Sequence, residues 1–313
     1  MKKPLIVIAG PTACGKTATS VLLAKNINGE IISADSMQVY KYMDIGTAKI
    51  KKEEMGGIKH YLIDEFYPDE EFSIAVFKSK ATKYIEDIYN KGKIPILVGG
   101  TGFYINSVIY NNDFTETKKD DKYRKELEQI AINKGNEFLY NMLKQIDKPS
   151  AEAIHKNNVK KVIRALEYYK LTGELISKHN EKEKQREKAY NTTFFILNMD
   201  REKLYNRINL RVDIMIKEGL VKEVESLLNK GYKKELVSMQ GIGYKEIIKY
   251  LENEYSLDYA IEIIKRDTRH FAKRQLTWFK HQVDDGVWID VNNFENSNSL
   301  ANYMKEVFIH KGE

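Results

Sequence analysis

Eight consecutive residues near the start of the chain, Gly10-Pro11-Thr12-Ala13-Cys14-Gly15-Lys16-Thr17, fill the pattern G-x-x-x-x-G-K-[ST] at every fixed position. The chemistry requires these types. Glycines let the backbone wrap so that successive N–H groups aim at phosphate oxygens, and the helix that follows adds the partial positive charge of its N-terminus. Lys16 would neutralise the terminal phosphate, and the Thr17 hydroxyl would ligate Mg2+. Cys14, the single cysteine of the chain, invites a nucleophile reading, but its position asks only for a small side chain.

A phosphate cradle names a bound group and not a reaction. NTP-dependent phosphoryl transfer and use of the loop for another diphosphate both stand. Phosphoryl-transfer enzymes of this kind usually hold Mg2+ through an acid at the end of a second apolar strand. Ile94-Pro95-Ile96-Leu97-Val98 runs instead into Gly99-Gly100-Thr101-Gly102, while Asp64, after Tyr61-Leu62-Ile63, could supply an acid. The kinase reading is weakened and not removed. A second candidate centre is Asp35-Ser36, which follows the apolar stretch Ile31-Ile32-Ser33-Ala34. In open α/β sheets ligands bind at that strand edge, so Asp35 is a candidate general base. An aspartate in a turn or helix cap is the structural alternative. Thr101 belongs to the same edge, where its flanking glycines would let it approach a ligand closely.

The elements that must position these groups can be read from periodicity. Short apolar runs at 5–9, 31–34, 61–63 and 94–98 alternate with helical stretches at 16–28 and 74–91, which predicts βαβ units and a parallel sheet. The runs lack polar alternation, as strands covered on both faces do. From about 120 to 188 no strand is evident, and Val159, Val162, Ile163, Leu166 and Tyr169 recur at helical spacing. Residues 178–188 carry five positive and three negative charges, the mark of a solvated helix or linker. Residues 192–199 read as a strand returning to the sheet, residues 200–280 as helical, and 287–290 as a last strand. The expected organisation is a P-loop NTPase-like α/β core, residues 1–115 and 192–313, interrupted by an all-helical insertion at 116–191.

With 51 Lys and Arg against 45 Asp and Glu, the net charge of +6 does not by itself demand a nucleic-acid partner. Its distribution says more. Lys265, Arg266, Arg269, Lys273, Arg274 and Lys280 face a single acid, Asp267, with Phe271, Trp278 and Phe279 interleaved, a mixture suited to phosphate contact plus stacking or packing. One cysteine excludes an intrachain disulfide and a multi-cysteine zinc site, and points to a reducing compartment, the cytoplasm. The apolar run 5–9 is too short for a membrane span or a signal-peptide core.

The ordered set of motifs resembles the tRNA dimethylallyltransferase (tRNA isopentenyltransferase) family over nearly the whole chain. The resemblance rests on 10–17, on Ile32-Ser33-Ala34-Asp35-Ser36-Met37-Gln38-Val39-Tyr40, and on Met43-Asp44-Ile45-Gly46-Thr47-Ala48-Lys49. It continues through Val98-Gly99-Gly100-Thr101-Gly102-Phe103-Tyr104, Arg164-Ala165-Leu166-Glu167, Arg207 and Arg211 to Val212, Gly241-Ile242-Gly243-Tyr244-Lys245 and Lys273-Arg274-Gln275-Leu276-Thr277-Trp278-Phe279. The single cysteine departs from eukaryotic relatives, which carry a Cys/His zinc finger. Length and composition resemble the compact bacterial form.

The resemblance implies transfer of a dimethylallyl group from dimethylallyl diphosphate to N6 of the adenosine 3′ to the anticodon, in tRNAs reading codons that start with U. The loop then holds a leaving group, with Mg2+. Asp35 matches the family's base and Thr101 a residue beside the reacting centre. Arg211, with Arg207 as the alternative, matches the position that binds diphosphate opposite the loop; a structural salt bridge remains open for either. The anticodon stem-loop contacts carry over onto Asp35, Ser36, Met37, Gln38, Thr101, Arg124, Lys160, Lys161, Val162, Ile163 and Arg164. They also carry over onto Gln240, Gly241, Ile242, Gly243, Tyr244, Lys245, Lys273, Arg274, Gln275, Leu276, Thr277, Trp278, Phe279 and Lys280. A monomer is expected. The competing readings are a small-molecule or nucleoside kinase and a non-catalytic, nucleotide-gated RNA-binding protein.

Overall fold

The computed structural model describes residues 2–111, 120–184 and 186–311. In chain order the elements are β1 (Pro4–Ala9), α1 (Lys16–Asn26), β2 (Gly29–Ser33), β3 (His60–Tyr61), α2 (Ile74–Asn90), β4 (Ile94–Gly99) and α3 (Gly102–Ile109), then α4 (Asp121–Lys134), α5 (Asn136–Ile146), α6 (Lys148–Ala153), α7 (Val159–Thr172) and α8 (Ile176–Lys184). There follow β5 (Asn191–Asn198), α9 (Arg201–Glu218), α10 (Leu220–Asn229), α11 (Tyr244–Leu251), α12 (Leu257–Gln282), β6 (Val287–Asp290) and α13 (Ser297–His310).

The strands form one sheet in the order β3-β2-β4-β1-β5-β6, and every pair is parallel. This is the P-loop-like α/β architecture expected. Leu5, Ile6, Val7, Ile8 and Ala9 are all fully buried in β1, which explains why that run shows no polar alternation. Because β1, β2 and β4 run in one direction, residues 10–17, Asp35 and Thr101 all leave the sheet at the same edge. Residues 192–199 do return to the sheet, as β5, which pairs with β1 from Pro4↔Asn191 to Ala9↔Ile196.

Two expectations change. The strand at 61–63 is only His60–Tyr61, because Leu62 and Asp64 take left-handed φ angles of 60° and 55° and turn the chain out of the sheet. The last expected element is the strand at 287–290, yet the chain continues into α13, which Asn296 caps and whose buried face Leu300, Ala301 and Met304 fill.

The chain divides into two compact units, Met1–Ile109 with Lys188–Glu313, and Tyr110–Glu187. The expected first boundary, 115/116, lies outside the described residues. The second unit is helical throughout its described residues, with Leu127, Leu139, Leu143, Val162, Ile163 and Leu166 in its core.

Candidate active site

The glycine-lysine loop has the shape its sequence demands. Gly10, Ala13 and Gly15 have φ of 145°, 65° and 94°, and at Gly10 a side chain is impossible, since a Cβ would sit 2.4 Å from the Leu197 carbonyl oxygen. Cys14 is buried, as a small filler would be. Lys16 Nζ donates to the carbonyls of Gly10 at 2.9 Å and Pro11 at 2.6 Å, so the ammonium is held over the loop mouth. Thr17 is exposed at the first turn of α1. It lines a small cleft together with Lys16, Ser33, Asp35 and Gly99.

Asp35 follows β2, and one of its oxygens, Oδ1, accepts the backbone N–H groups of Met37 at 2.8 Å and Gln38 at 3.3 Å. The turn role foreseen as an alternative is therefore real, and it orients the carboxylate rather than consuming it. Asp35 lines the cleft of the glycine-lysine loop and also a second cavity of about 360 Å³, whose wall includes Thr12, Thr101, Arg211, Phe271 and Arg274. The nearby Tyr104 ring stacks on Phe77, and burial, with the negative fields of Tyr40 and Asp35, pushes its hydroxyl up to about 12.

The glycines around Thr101 serve a different end from the one expected. They make room for protein neighbours. A Cβ on Gly99 would lie 2.2 Å from the Ala34 carbonyl oxygen, one on Gly100 2.0 Å from Gln275, and one on Gly102 2.1 Å from the Trp278 ring. Helix α12 thus packs directly on the Thr101 loop, and Thr101 itself lines the 360 Å³ cavity.

Arg211 and Arg207, one turn apart on α9, separate clearly. Arg207 is exposed, whereas Arg211 is partly buried, faces the cavity, and brings Nη1 to 3.4 Å from the Thr12 hydroxyl. Burial pushes its guanidinium below the usual arginine range, with Cys14 opposing and Arg207 adding to the shift. An arginine stays charged regardless, so a poorly hydrated cation stands beside the phosphate loop. Asp64, the acid a kinase would need, instead pairs with Lys49 at 2.5 Å.

The residues expected on tRNA fall into distinct groups. Ser36, Met37, Gln240, Gly241, Ile242, Gly243, Tyr244 and Arg274 line the 360 Å³ cavity, although Tyr244 is fully buried. Gln38 faces the loop cleft, and Lys245 contacts Glu246 at 3.5 Å. Lys273, Thr277 and Trp278 line a surface groove along α12 with His270 and His281, and Lys280 is exposed. Gln275 and Phe279 are buried, and Leu276 packs on the core. In the helical unit Lys160 and Lys161 are exposed on α7, while Val162 and Ile163 are core residues. Arg124 binds Glu167 through two hydrogen bonds of 2.7 and 2.8 Å, and Arg164 joins the same carboxylate at 3.3 Å. Of the basic cluster on α12, Lys265 is paired with Asp213 and Arg266 with Asp267.

A family model described as IPP transferase matches residues 38–282. The chain is also 57% identical over 309 residues to a tRNA dimethylallyltransferase of Lachnoclostridium phytofermentans, covering 99% of this chain and 98% of the relative. The chain belongs to the IPP transferase family. Among solved structures, the tRNA isopentenylpyrophosphate transferase of Bacillus halodurans matches with a TM-score of 0.73 at 44% identity, over 99% of this chain and 98% of that one. A eukaryotic dimethylallyltransferase acting on tRNA matches with a TM-score of 0.83 at 30% identity, over 98% of this chain and 80% of that one.

Two features of this IPP transferase family member escaped sequence reasoning. Ile208, Val212, Met215 and Ile264 give the cavity an apolar wall, yet at helical spacing they read as ordinary core. The family resemblance groups Gln275 with tRNA contacts, and its amide also accepts from Thr12 N–H and donates to the Gly100 carbonyl, both at 3.0 Å. A lone glutamine in a basic helix carries no signal of such a bridge.

Proposed function

We propose that this chain transfers a dimethylallyl group from dimethylallyl diphosphate to N6 of the adenosine 3′ to the anticodon, in tRNAs that read codons starting with U, releasing diphosphate. The observation that carries the reading is Asp35: one carboxylate forms a wall shared by the phosphate-loop cleft and the cavity of Thr101 and Arg211. A base placed there meets a diphosphate on one side and an incoming adenine on the other.

The amine N6 attacks C1 of the prenyl group, the C1–O bond breaks, and the electron pair leaves on diphosphate. The backbone of 10–17, with Lys16 and Arg211, stabilises the charge that builds on that leaving group. Asp35 accepts the proton that N6 sheds. N6 is a poor nucleophile, so holding it against C1 counts for at least as much, a role suited to Thr101, which lines the same cavity as Asp35. The apolar side chains of Ile208, Val212, Met215 and Ile264 suit a five-carbon hydrocarbon.

Mg2+ fits this site. Among the described residues there is no cluster of three or more His, Cys, Asp or Glu side chains for an all-protein cage, but Mg2+ is commonly held by one protein oxygen with substrate phosphates and water. Thr17 would supply that oxygen, and the ion would neutralise diphosphate charge. In the helical unit, Lys160 and Lys161 offer phosphate contacts to the anticodon stem; in the core unit, the α12 groove of Lys273, Thr277 and Trp278 offers contacts to phosphates and bases. The target base leaves its stack to enter the cavity. Among the described residues no helix is long and apolar enough to cross a membrane. A monomer acting in the cytoplasm, where its tRNA substrate is found, completes the proposal.

The relatives give no support to the kinase reading, and Asp64 is occupied by Lys49. Incubation with dimethylallyl diphosphate, Mg2+ and unmodified tRNA, followed by nucleoside analysis, tests the proposal. Isopentenyladenosine at the position 3′ to the anticodon supports it. ATP-dependent phosphorylation of a small molecule without nucleoside change refutes it.

A further inference from the structure

The motif Asp44-Ile45-Gly46-Thr47-Ala48-Lys49 takes no part in the steps above, yet its backbone builds a nest for an anion. Glu223, in the first turn of α10, accepts the consecutive N–H groups of Asp44 at 2.9 Å, Ile45 at 2.7 Å and Gly46 at 3.1 Å. The Tyr244 hydroxyl adds a fourth donor at 2.7 Å. Consecutive backbone N–H groups converging on one carboxylate are the device by which loops elsewhere hold a ligand's oxyanion. Here the anion is the protein's own. Gly46 is required for this fit, because a Cβ there would lie 2.6 Å from the Tyr244 ring. Burial, then the charge of Glu223, holds the Tyr244 hydroxyl well above its ordinary value, so it remains a donor.

The far end of the motif is fixed as firmly. Lys49, almost wholly buried, donates to the Tyr40 carbonyl at 2.7 Å and pairs with Asp44 at 2.6 Å. The Gln38 amide donates to the carbonyls of Thr47 at 3.2 Å and Ala48 at 3.3 Å, while its backbone N–H reaches Asp35 Oδ1. Gly46, Thr47 and Ala48 form a wall of the 360 Å³ cavity, and Glu223 does not line it. A continuous set of hydrogen bonds therefore runs from Glu223 through the motif and Gln38 to the carboxylate of Asp35.

We propose that Glu223 is a positioning residue for the transfer reaction: by filling the nest of residues 44–46 it sets the cavity wall at 46–48 and, through Gln38, the aim of Asp35. The proposal rests on the transferase reading above. Glu223→Ala empties the nest without changing the identity of any residue that lines the cavity.

The test is steady-state transfer by the full chain with dimethylallyl diphosphate and unmodified tRNA, normalised to the folded fraction seen by thermal melting. Glu223→Ala should lower kcat on the order of 10–100-fold, the scale of a misplaced reacting group, with both KM values within about threefold of the unmutated chain. Formate should restore most of the loss by refilling the nest, and chloride at equal ionic strength should not. A role in folding alone would change the melting temperature without a carboxylate-specific recovery of kcat. Glu223→Gln, which keeps an acceptor, should lie between. Should Glu223→Ala fail to fold, Glu223→Gln and Tyr244→Phe decide: lowered kcat at constant KM supports the proposal and unmutated rates in both overturn it. A folded Glu223→Ala with full kcat, or with a loss that formate leaves untouched, overturns it. An inactive unmutated chain refutes the transferase reading and this proposal with it; an active one with an indifferent Glu223→Ala refutes the proposal alone.

Discussion

Gln275 and Thr12 stand 263 positions apart in sequence, and the Gln275 amide oxygen accepts the Thr12 N–H at 3.0 Å. The same amide donates to the Gly100 carbonyl at 3.0 Å. One buried side chain on α12 thus fixes the spacing between the phosphate loop and the residue that precedes Thr101. Replacing it with an apolar side chain of like size leaves both backbone groups without a partner. Gln275→Met is expected to cost about 1–3 kcal/mol in stability and to lower kcat on the order of tenfold, read from denaturant melts and steady-state transfer. Gln275→Glu, which buries a carboxylate and sets one of its oxygens against the Gly100 carbonyl, should cost at least as much.

Arg211 and Arg207 make opposite predictions. Arg211→Ala removes a partly dehydrated cation beside Thr12, and kcat/KM for the prenyl donor should fall on the order of 10²-fold. Arg207 is exposed, and Arg207→Ala should stay within about threefold of the unmutated chain. Donor titrations of the two variants check this directly.

Helix α12 mixes core with contact residues, and the two kinds should separate by experiment. Phe279 is fully buried against Phe194, so Phe279→Ala should cost about 3–5 kcal/mol of stability. Lys273 is exposed in the groove. Lys273→Ala should leave stability unchanged, weaken tRNA binding, and reduce the slope of log K against log salt by about one.

Legibility followed the range of the interactions. Residues 10–17 were readable because their function is written in backbone conformation and local spacing, which Gly10 and Gly15 disclose. The parallel sheet was readable because strands such as Leu5 to Ala9 are apolar without alternation. The basic-aromatic face of α12 was only half readable. Composition shows Gln275, Trp278 and Phe279 beside lysines, but only tertiary packing reveals that Gly100 and Gly102 are absent of side chains to admit Gln275 and Trp278. Likewise Val162 and Ile163 lie next to Lys160 and Lys161 in sequence, and helix phase alone turns one pair to the core and the other to solvent. The Arg124–Glu167 pair spans 43 positions and left no local mark.

Acid should loosen the sheet through Glu30. Burial disfavours its charge, but hydrogen bonds from Lys93, Tyr61 and Lys91 outweigh burial and hold its carboxyl at about 2, below the ordinary 4.5. A carboxyl held low in the folded state stabilises above its unfolded pKa and loses that contribution as pH falls through the folded value. The melting temperature should therefore drop between about pH 4.5 and about pH 2, and Glu30→Gln should flatten that part of the profile while lowering stability at neutral pH.

Asp35 is proposed to take the proton from the attacking amine while the phosphate loop holds the departing diphosphate. The decisive measurement is single-turnover transfer to tRNA by Asp35→Ala, alongside protection of the same variant against thermal unfolding by dimethylallyl diphosphate. Turnover should fall about 10²–10⁴-fold, the range for losing a general base, with donor protection unchanged. Turnover equal to that of the unmutated chain, with the donor still bound, contradicts the account.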